Sequence, residues 1–450
     1  MTVKDNKNYR IFFLLLLTLV YGFNFIDRQI VGILAPFIQA DLGLTNTQMG
    51  LLIGPVFAAV YAVAGIPIAW LADRYSRVNI MATALALWSA FTALSGMANN
   101  FVQIGLARMG VGIGEAGGSP PAHSMISDLY PKEERASALA IYALGIPFGI
   151  MFAYFVTASL LGADGDAVNW RRIFIILGVV GIALAIFVRI VLRDPKRGAM
   201  EEVAVKSDNS EPASEIAKPP FFKALATLLS IPSWWAMCLG IAAGSFVAYS
   251  FSGFQTKYLI GLDPDFNFKT LLIVLGIING IAYAGGTFFG AKVADWWGKK
   301  NVRAYGWVPA ISIGIALPAA IASLWVPTIW LHLACVTVMT TFLGVYLGPS
   351  FAIAQTLAPI NMRAMSTAMY FFVLNMIALG GGPTLTGILI DVFLETHGSV
   401  HSVRLSLTIV CLFFLLSIAS FLVVSRTLPK DWKDAQARNE NQINAKNTAT

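Results

Sequence analysis

AWLADRYSR (residues 69–77) and AKVADWWGKK (residues 291–300) are two forms of one short motif, one in each half of the chain. Each follows a long apolar run and carries an Ala-Asp pair with basic residues just beyond it. On either side of these motifs, apolar stretches of about 20 residues, the length that crosses a bilayer, recur along nearly the whole sequence. We expect spans at 11–40, 48–72, 79–97, 102–127, 136–161, 170–192, 231–260, 269–292, 301–323, 326–356, 364–392 and 403–425. The 450 residues are 57% hydrophobic and only 12% charged, where a soluble domain carries about a quarter charged residues. The chain therefore reads as an all-α polytopic membrane protein. The motif falls at the end of span two and again at the end of span eight, the second span of each half, so duplication of a six-helix unit is the simple reading.

Between Arg193 and Pro220 the sequence turns to charge, Ser and Pro, which reads as a linker. The expected organisation is a six-helix half over 1–192, a cytoplasmic linker over 193–222, a second half over 223–426, and a tail over 427–450 expected to be disordered. Two pseudo-symmetric halves around a central cavity are the plan of a large class of secondary transporters. Lys and Arg concentrate in alternate loops, with Arg74, Arg77, Lys299, Lys300 and Arg303 on one side and Asp41, Asp164, Asp166, Asp263 and Asp265 on the other. By the positive-inside rule both termini are cytoplasmic. The formal charge of +7 follows from these loops and does not call for a nucleic-acid partner. Cys238, Cys335 and Cys411 lie singly in apolar segments, with neither disulfide nor metal-ligand spacing. The sequence has no phosphate-binding glycine loop and no nucleophile elbow, so we expect neither an enzyme nor a bound cofactor.

Four ionisable residues interrupt the apolar runs of the first half: Asp27, Arg28, Arg108 and Glu115. A charge at mid-bilayer costs roughly 2.5–3.5 kcal/mol on insertion scales, and such residues face a bundle interior or an aqueous cavity. Arg108 and Glu115 are separated by close to two helical turns, so they project from one face about 10 Å apart along the axis. Arginine does not deprotonate in proteins, which leaves the acids as titrating partners. The expectation is that Asp27 and Glu115 carry a coupling proton, with Arg108 as switch partner of one or both. Arg28 would meet an anionic headgroup, and Arg108 and Glu115 would share that substrate site.

The chain resembles the major facilitator superfamily over nearly its whole length. The superfamily's loop signature is met at Leu71, Ala72, Asp73, Arg74 and Arg77, and again at Ala294, Asp295, Gly298, Lys299 and Lys300. That resemblance implies a conformational latch formed by Asp73, Arg74, Arg77 and Asp295. GIPFG (145–149) is similar to a glycine-proline signature of exporters, implying a hinge at Gly145, Pro147 and Gly149. Within the superfamily, NFIDR (24–28), RMGVGIGEAGGSPPAHSMISDLYP (108–131) and RASALAIYALGIPFG (135–149) resemble the spinster-type transporters, with Phe25 where that group usually has Tyr.

The second half offers Phe, Tyr, Thr and Ser in GSFVAYSFSGF (244–254) and almost no internal charge, an asymmetry suited to an amphiphile. The expected function is proton-coupled alternating access for a lysophospholipid or sphingoid phosphate, in a monomer of the bacterial inner membrane surrounded by membrane lipids. A proton-coupled exporter of organic anions or drugs, or an uncoupled lipid facilitator or sensor, is the alternative.

Overall fold

The structure is a computed structural model and describes residues 7–161, 168–197, 221–359 and 362–447. Asp164 and Asp166, and the linker from residue 198 to 220, lie outside the described residues. The described helices fall into two compact units, one formed by Met1–Ser214, Ser252–Ile260 and Pro264–Gly280, the other by Glu215–Phe251, Gly261–Asp263 and Ile281–Thr450.

In the first unit α1 spans Lys7–Leu42, α2 Asn46–Ile53, α3 Pro55–Arg74, α4 Arg77–Ser95 and α5 Phe101–Glu115. They are followed by α6 Ser119–Leu129, α7 Lys132–Ala143, α8 Gly145–Ser159 and α9 Trp170–Val191. Three of the first six expected spans are therefore interrupted. The second breaks at Gly54, with Pro55 opening α3. The fourth breaks after Glu115, where Ala116-Gly117-Gly118 is followed by Ser119-Pro120-Pro121. Two consecutive prolines cannot donate to the preceding turn, and both are accommodated in the first turn of a new helix. The fifth breaks at Leu144, directly before Gly145 and Pro147.

Close backbone contact holds this unit together. A Cβ on Gly149 would come within 2.3 Å of the Gly22 carbonyl, so α8 lies directly on α1. A Cβ on Gly114 would meet Trp88 at 2.7 Å, and one on Gly112 would meet the Phe57 carbonyl at 3.0 Å. Glycines on α5 thus let it approach α3 and α4 more closely than any side chain would permit.

The later helices are α10 Phe221–Leu229, α11 Pro232–Leu262, α12 Phe268–Ile277, α13 Tyr283–Gly298, α14 Ala304–Trp325, α15 Ile329–Val345 and α16 Leu347–Thr356. Then come α17 Arg363–Leu374, α18 Gly380–Val410 and α19 Phe413–Asn447. Five-residue π turns, Ile278–Ala282 and Asn375–Leu379, join α12 to α13 and α17 to α18. Residues 252–260 of α11 and all of α12 belong to the first unit.

Ten helical stretches among the described residues are long and apolar enough to cross a membrane. One of them, Met365–Arg438, runs for 74 residues and contains the break at Gly398, whose φ of 72° only glycine adopts freely. The fourth expected span is not among the ten, because its break leaves pieces of 15 and 11 residues.

The tail differs from its expectation of disorder. Helix α19 continues through Asn447, and its first turns beyond residue 427 are anchored. Asp431 accepts from the Ser233 backbone N–H at 2.8 Å, Trp432 stacks on Tyr305 at 5.6 Å, and Arg438 donates to the Leu357 carbonyl at 2.6 Å. A polar composition suggested a solvated segment, but one aromatic and two charged side chains give this stretch a face to bind.

Candidate functional site: a buried charge cluster

Asp27 and Arg28 lie on α1, Arg108 and Glu115 on α5, and the first unit brings all four together. Arg28 donates from Nε to Glu115 Oε2 at 2.7 Å, across an ion pair whose carboxylate side chain has no exposure. The Arg28 guanidinium also lies over three rings, at 4.6 Å from the centroid of Tyr61, 5.0 Å from Phe57 and 5.3 Å from Phe25. Phe57 and Tyr61 are one turn apart on α3 and stack at 5.6 Å, so a single helical face supplies most of this cage. A cation over aromatic faces is held by the ring quadrupoles while the same rings exclude water.

Arg108 is 2% exposed and approaches Asp27 through that residue's backbone carbonyl, at 3.5 Å, rather than through its carboxylate. It also faces the Phe57 ring at 5.1 Å. Among the described residues neither Arg108 nor Asp27 makes an ion pair. Both carboxylate oxygens of Asp27 are fully buried without a hydrogen-bond partner, and so is Oε1 of Glu115. Trp88 and Thr92 on α4 approach Asp27, and Asn24 on α1 approaches Glu115. Sequence reading missed these three neutral neighbours. Asn24 sits four residues before Arg28, and that spacing was the available signal.

The reading that spans seven to twelve hold almost no internal charge overlooks Lys257. Its ammonium donates to Gln39 Oε1 at 2.8 Å and to Asn46 Oδ1, all within the first unit. Nearby, Ser252 donates to Gln29 Oε1 at 2.9 Å. His332, buried on α15, has its Nδ1 against the Ser323 carbonyl at 2.7 Å, as a packing histidine does.

The loop-signature residues separate into unlike roles. Arg77, 1% exposed, contacts Asp128 at the end of α6 and Asp194 at 2.9 Å, and donates to Ser124 at 2.8 Å and the Pro195 carbonyl at 2.6 Å. Arg74 is exposed and folds back over Trp70 of its own helix, 3.8 Å from the ring centroid. Asp295 accepts from the Tyr305 hydroxyl at 2.9 Å. The side chain of Asp73 lies outside the described residues. Gly145, Pro147 and Gly149 are all buried in the first turns of α8, just after the break at Leu144. No group of three His, Cys, Asp or Glu suited to a metal occurs among the described residues.

Residues 17–383 match the Major Facilitator Superfamily. A relative described as an MFS-type efflux pump of Mycolicibacterium smegmatis is 29% identical over 92% of each chain. A probable L-galactonate transporter of Escherichia coli is 26% identical over 88% of this chain and 85% of its own, and protein spinster homolog 1 of Xenopus laevis 24% identical over 94% and 82%. Among solved structures, a bacterial homologue of the human lysosomal transporter Spinster, in an inward-facing and unoccupied conformation, has a TM-score of 0.84 at 28% identity. That alignment covers 95% of this chain and 99% of the other. The chain, membrane-spanning and spinster-like, belongs to the major facilitator superfamily of transporters.

Proposed function

We propose that this transporter moves an amphiphile with an anionic or zwitterionic, phosphate-bearing head, of the lysophospholipid or sphingoid phosphate class, by proton-coupled alternating access. The observation that carries the reading is the Arg28–Glu115 ion pair inside an aromatic cage. While Glu115 is ionised it occupies the guanidinium. Protonation of Glu115 removes that charge and frees Arg28 for a phosphate or carboxylate, to which a guanidinium offers a planar pair of donors. Phe25, Phe57 and Tyr61 then flank the headgroup with apolar surface. Asp27, buried and unpaired, is an uncompensated charge if ionised and is accommodated as the neutral acid, which makes it the second proton carrier. Arg108, on the same helix as Glu115, is the basic partner available to either acid once the first pair separates.

The same scheme places both termini on the cytoplasmic side of a bacterial inner membrane, with twelve spans in a monomer. Arg77, together with Asp73, Arg74 and Asp295, forms the latch, and the break before Gly145, Pro147 and Gly149 is the hinge. A second reading, a proton-coupled carrier of small organic anions, is favoured by the relatives described as an L-galactonate transporter and as a hexuronate transporter of Bacillus subtilis.

The test is uptake into proteoliposomes of labelled lysophosphatidylcholine, sphingosine-1-phosphate and glucuronate, with and without a pH gradient, comparing wild type with Glu115→Gln. Gradient-driven lipid movement that disappears in the variant is expected. Gradient-driven movement of glucuronate alone would transfer the conclusion to the second reading, and transport indifferent to both gradient and variant would end the coupling proposal.

A further inference from the structure

Glu115 uses only one of its two oxygens. Arg28 takes Oε2, and Oε1 is fully buried without a partner. Asn24 precedes Arg28 by four residues on α1, so the two side chains share a face one turn apart, and Asn24 lies beside the same carboxyl group. Asn24 is 4% exposed, and its own Oδ1 is also buried without a partner. Two buried acceptors on neighbouring side chains, each unsatisfied, are costly unless a proton reaches them in at least one working state. Asn24 also borders a small cavity of about 10 Å³ lined in addition by Trp88, Gly118, Ser119 and Tyr142, room for about one water molecule.

We propose that Asn24 is the positioning residue that reads whether Glu115 carries its proton. An amide is suited to this because it both donates and accepts. Its Nδ2 donates to Oε1 of the ionised carboxylate. When Glu115 is neutral, Oε1–H donates to Oδ1 once the amide has turned, and the adjoining cavity gives it space to turn. Each protonation state therefore has its own amide orientation, and the change is passed to α1 at the turn that carries Arg28. The charged and titratable groups around the pair are Asp27, Arg28 and Tyr21 on α1, Tyr61 on α3, Arg108 on α5, His123 on α6 and Tyr142 on α7. The α4 face contributes only the neutral Trp88 and Thr92.

The inference rests on the reading of Glu115 as a proton carrier, and the experiment separates the two without needing a substrate. Infrared difference spectra of the full-length protein in detergent are recorded across a pH titration for wild type, Glu115→Gln, Asn24→Leu and Asn24→Ser. Glu115→Gln identifies the neutral-carboxyl band of Glu115 by its loss. In Asn24→Leu that band should move to higher frequency, as its O–H loses an acceptor, and its titration midpoint should shift by about one pH unit, the scale of one hydrogen bond. Asn24→Ser, which keeps a hydroxyl able to donate and accept, should restore most of the shift. A Glu115 band with wild-type frequency and midpoint in Asn24→Leu overturns the inference alone. If Asn24→Leu does not fold, a wild-type band and midpoint in an Asn24→Ala variant does the same. Absence of any Glu115-dependent band overturns the proton-carrier reading and this inference with it.

Discussion

Arg28, partly buried, and Arg108, fully buried, both stand beside buried acids, yet they are held differently. Arg28 has a carboxylate at 2.7 Å and three aromatic faces, whereas Arg108 has one long contact to a backbone carbonyl and one ring. Lysine keeps the charge at position 28 but not the planar donor set or the stacking. Arg28→Lys is therefore expected to lower substrate affinity about 10-fold or more, the scale of one charge-assisted hydrogen bond, as measured by binding to the purified protein. Asp27 presents the opposite case, since its carboxylate has no bond to lose. Asp27→Asn should leave the thermal midpoint unchanged or raise it, while pH-gradient dependence of uptake declines. A fall of several degrees would show that an ionised Asp27 is part of the folded network.

At the scale of the element, glycine contacts decide where helices sit. Gly149 of α8 meets the Gly22 carbonyl of α1, and a Cβ there would approach to 2.3 Å. Gly65 of α3 has nothing within 4 Å of the same hypothetical atom. Gly149→Val is expected to destabilise by about 1–3 kcal/mol through overpacking, displacing α8 from α1 at the turn preceding the charge cluster. Gly65→Ala should stabilise by about 0.5–1 kcal/mol through helix propensity alone. Thermal unfolding of the two variants in parallel checks the contrast. Equal behaviour would remove the packing role assigned to the α1–α8 contact.

Across the whole molecule the segment after α9 is tied to the end of α3 and the start of α4. Asp194 accepts from both the side chain and the backbone N–H of Arg77, the first residue of α4, a favourable place for a negative charge at a helix N-terminus. Arg197 adds bonds to the carbonyls of Ala72 at 2.7 Å and Tyr75 at 2.9 Å. Arg77→Ala leaves two acids without their shared base and is expected to cost about 3–5 kcal/mol. Exposed Arg74→Ala should fall within about 0.5 kcal/mol of wild type. Hydrogen exchange at the α3–α4 junction reads both, with protection lost in the first variant and kept in the second. At the other end of the chain, truncation after residue 439 should leave stability unaltered, whereas truncation after residue 427 removes Asp431, Trp432 and Arg438 and should lower the thermal midpoint.

The membrane class, the superfamily and the presence of four ionisable residues on two helices of the first unit were legible because each rests on a local or periodic property. Apolar run length is set by bilayer thickness, the motif repeats in the linear sequence, and a spacing of seven places Arg108 and Glu115 on one face of a helix whatever that helix packs against. Which arginine meets which acid was not legible. Arg28 rather than Arg108 reaches Glu115 because the depth and rotation of α1 against α5 follow from backbone contacts at Gly22, Gly112, Gly114 and Gly149, and these lie far apart in sequence. Other contacts distant in sequence place Asn24 beside the Glu115 carboxyl group, Asp194 against Arg77, and Lys257 against Gln39 and Asn46. That charges are buried in this protein, and on which helices, follows from the linear order of its residues. Their partners depend on the folded packing, because a side chain of a few ångströms answers to the register between helices, and that register is set by helix contacts rather than by any residue's own propensity.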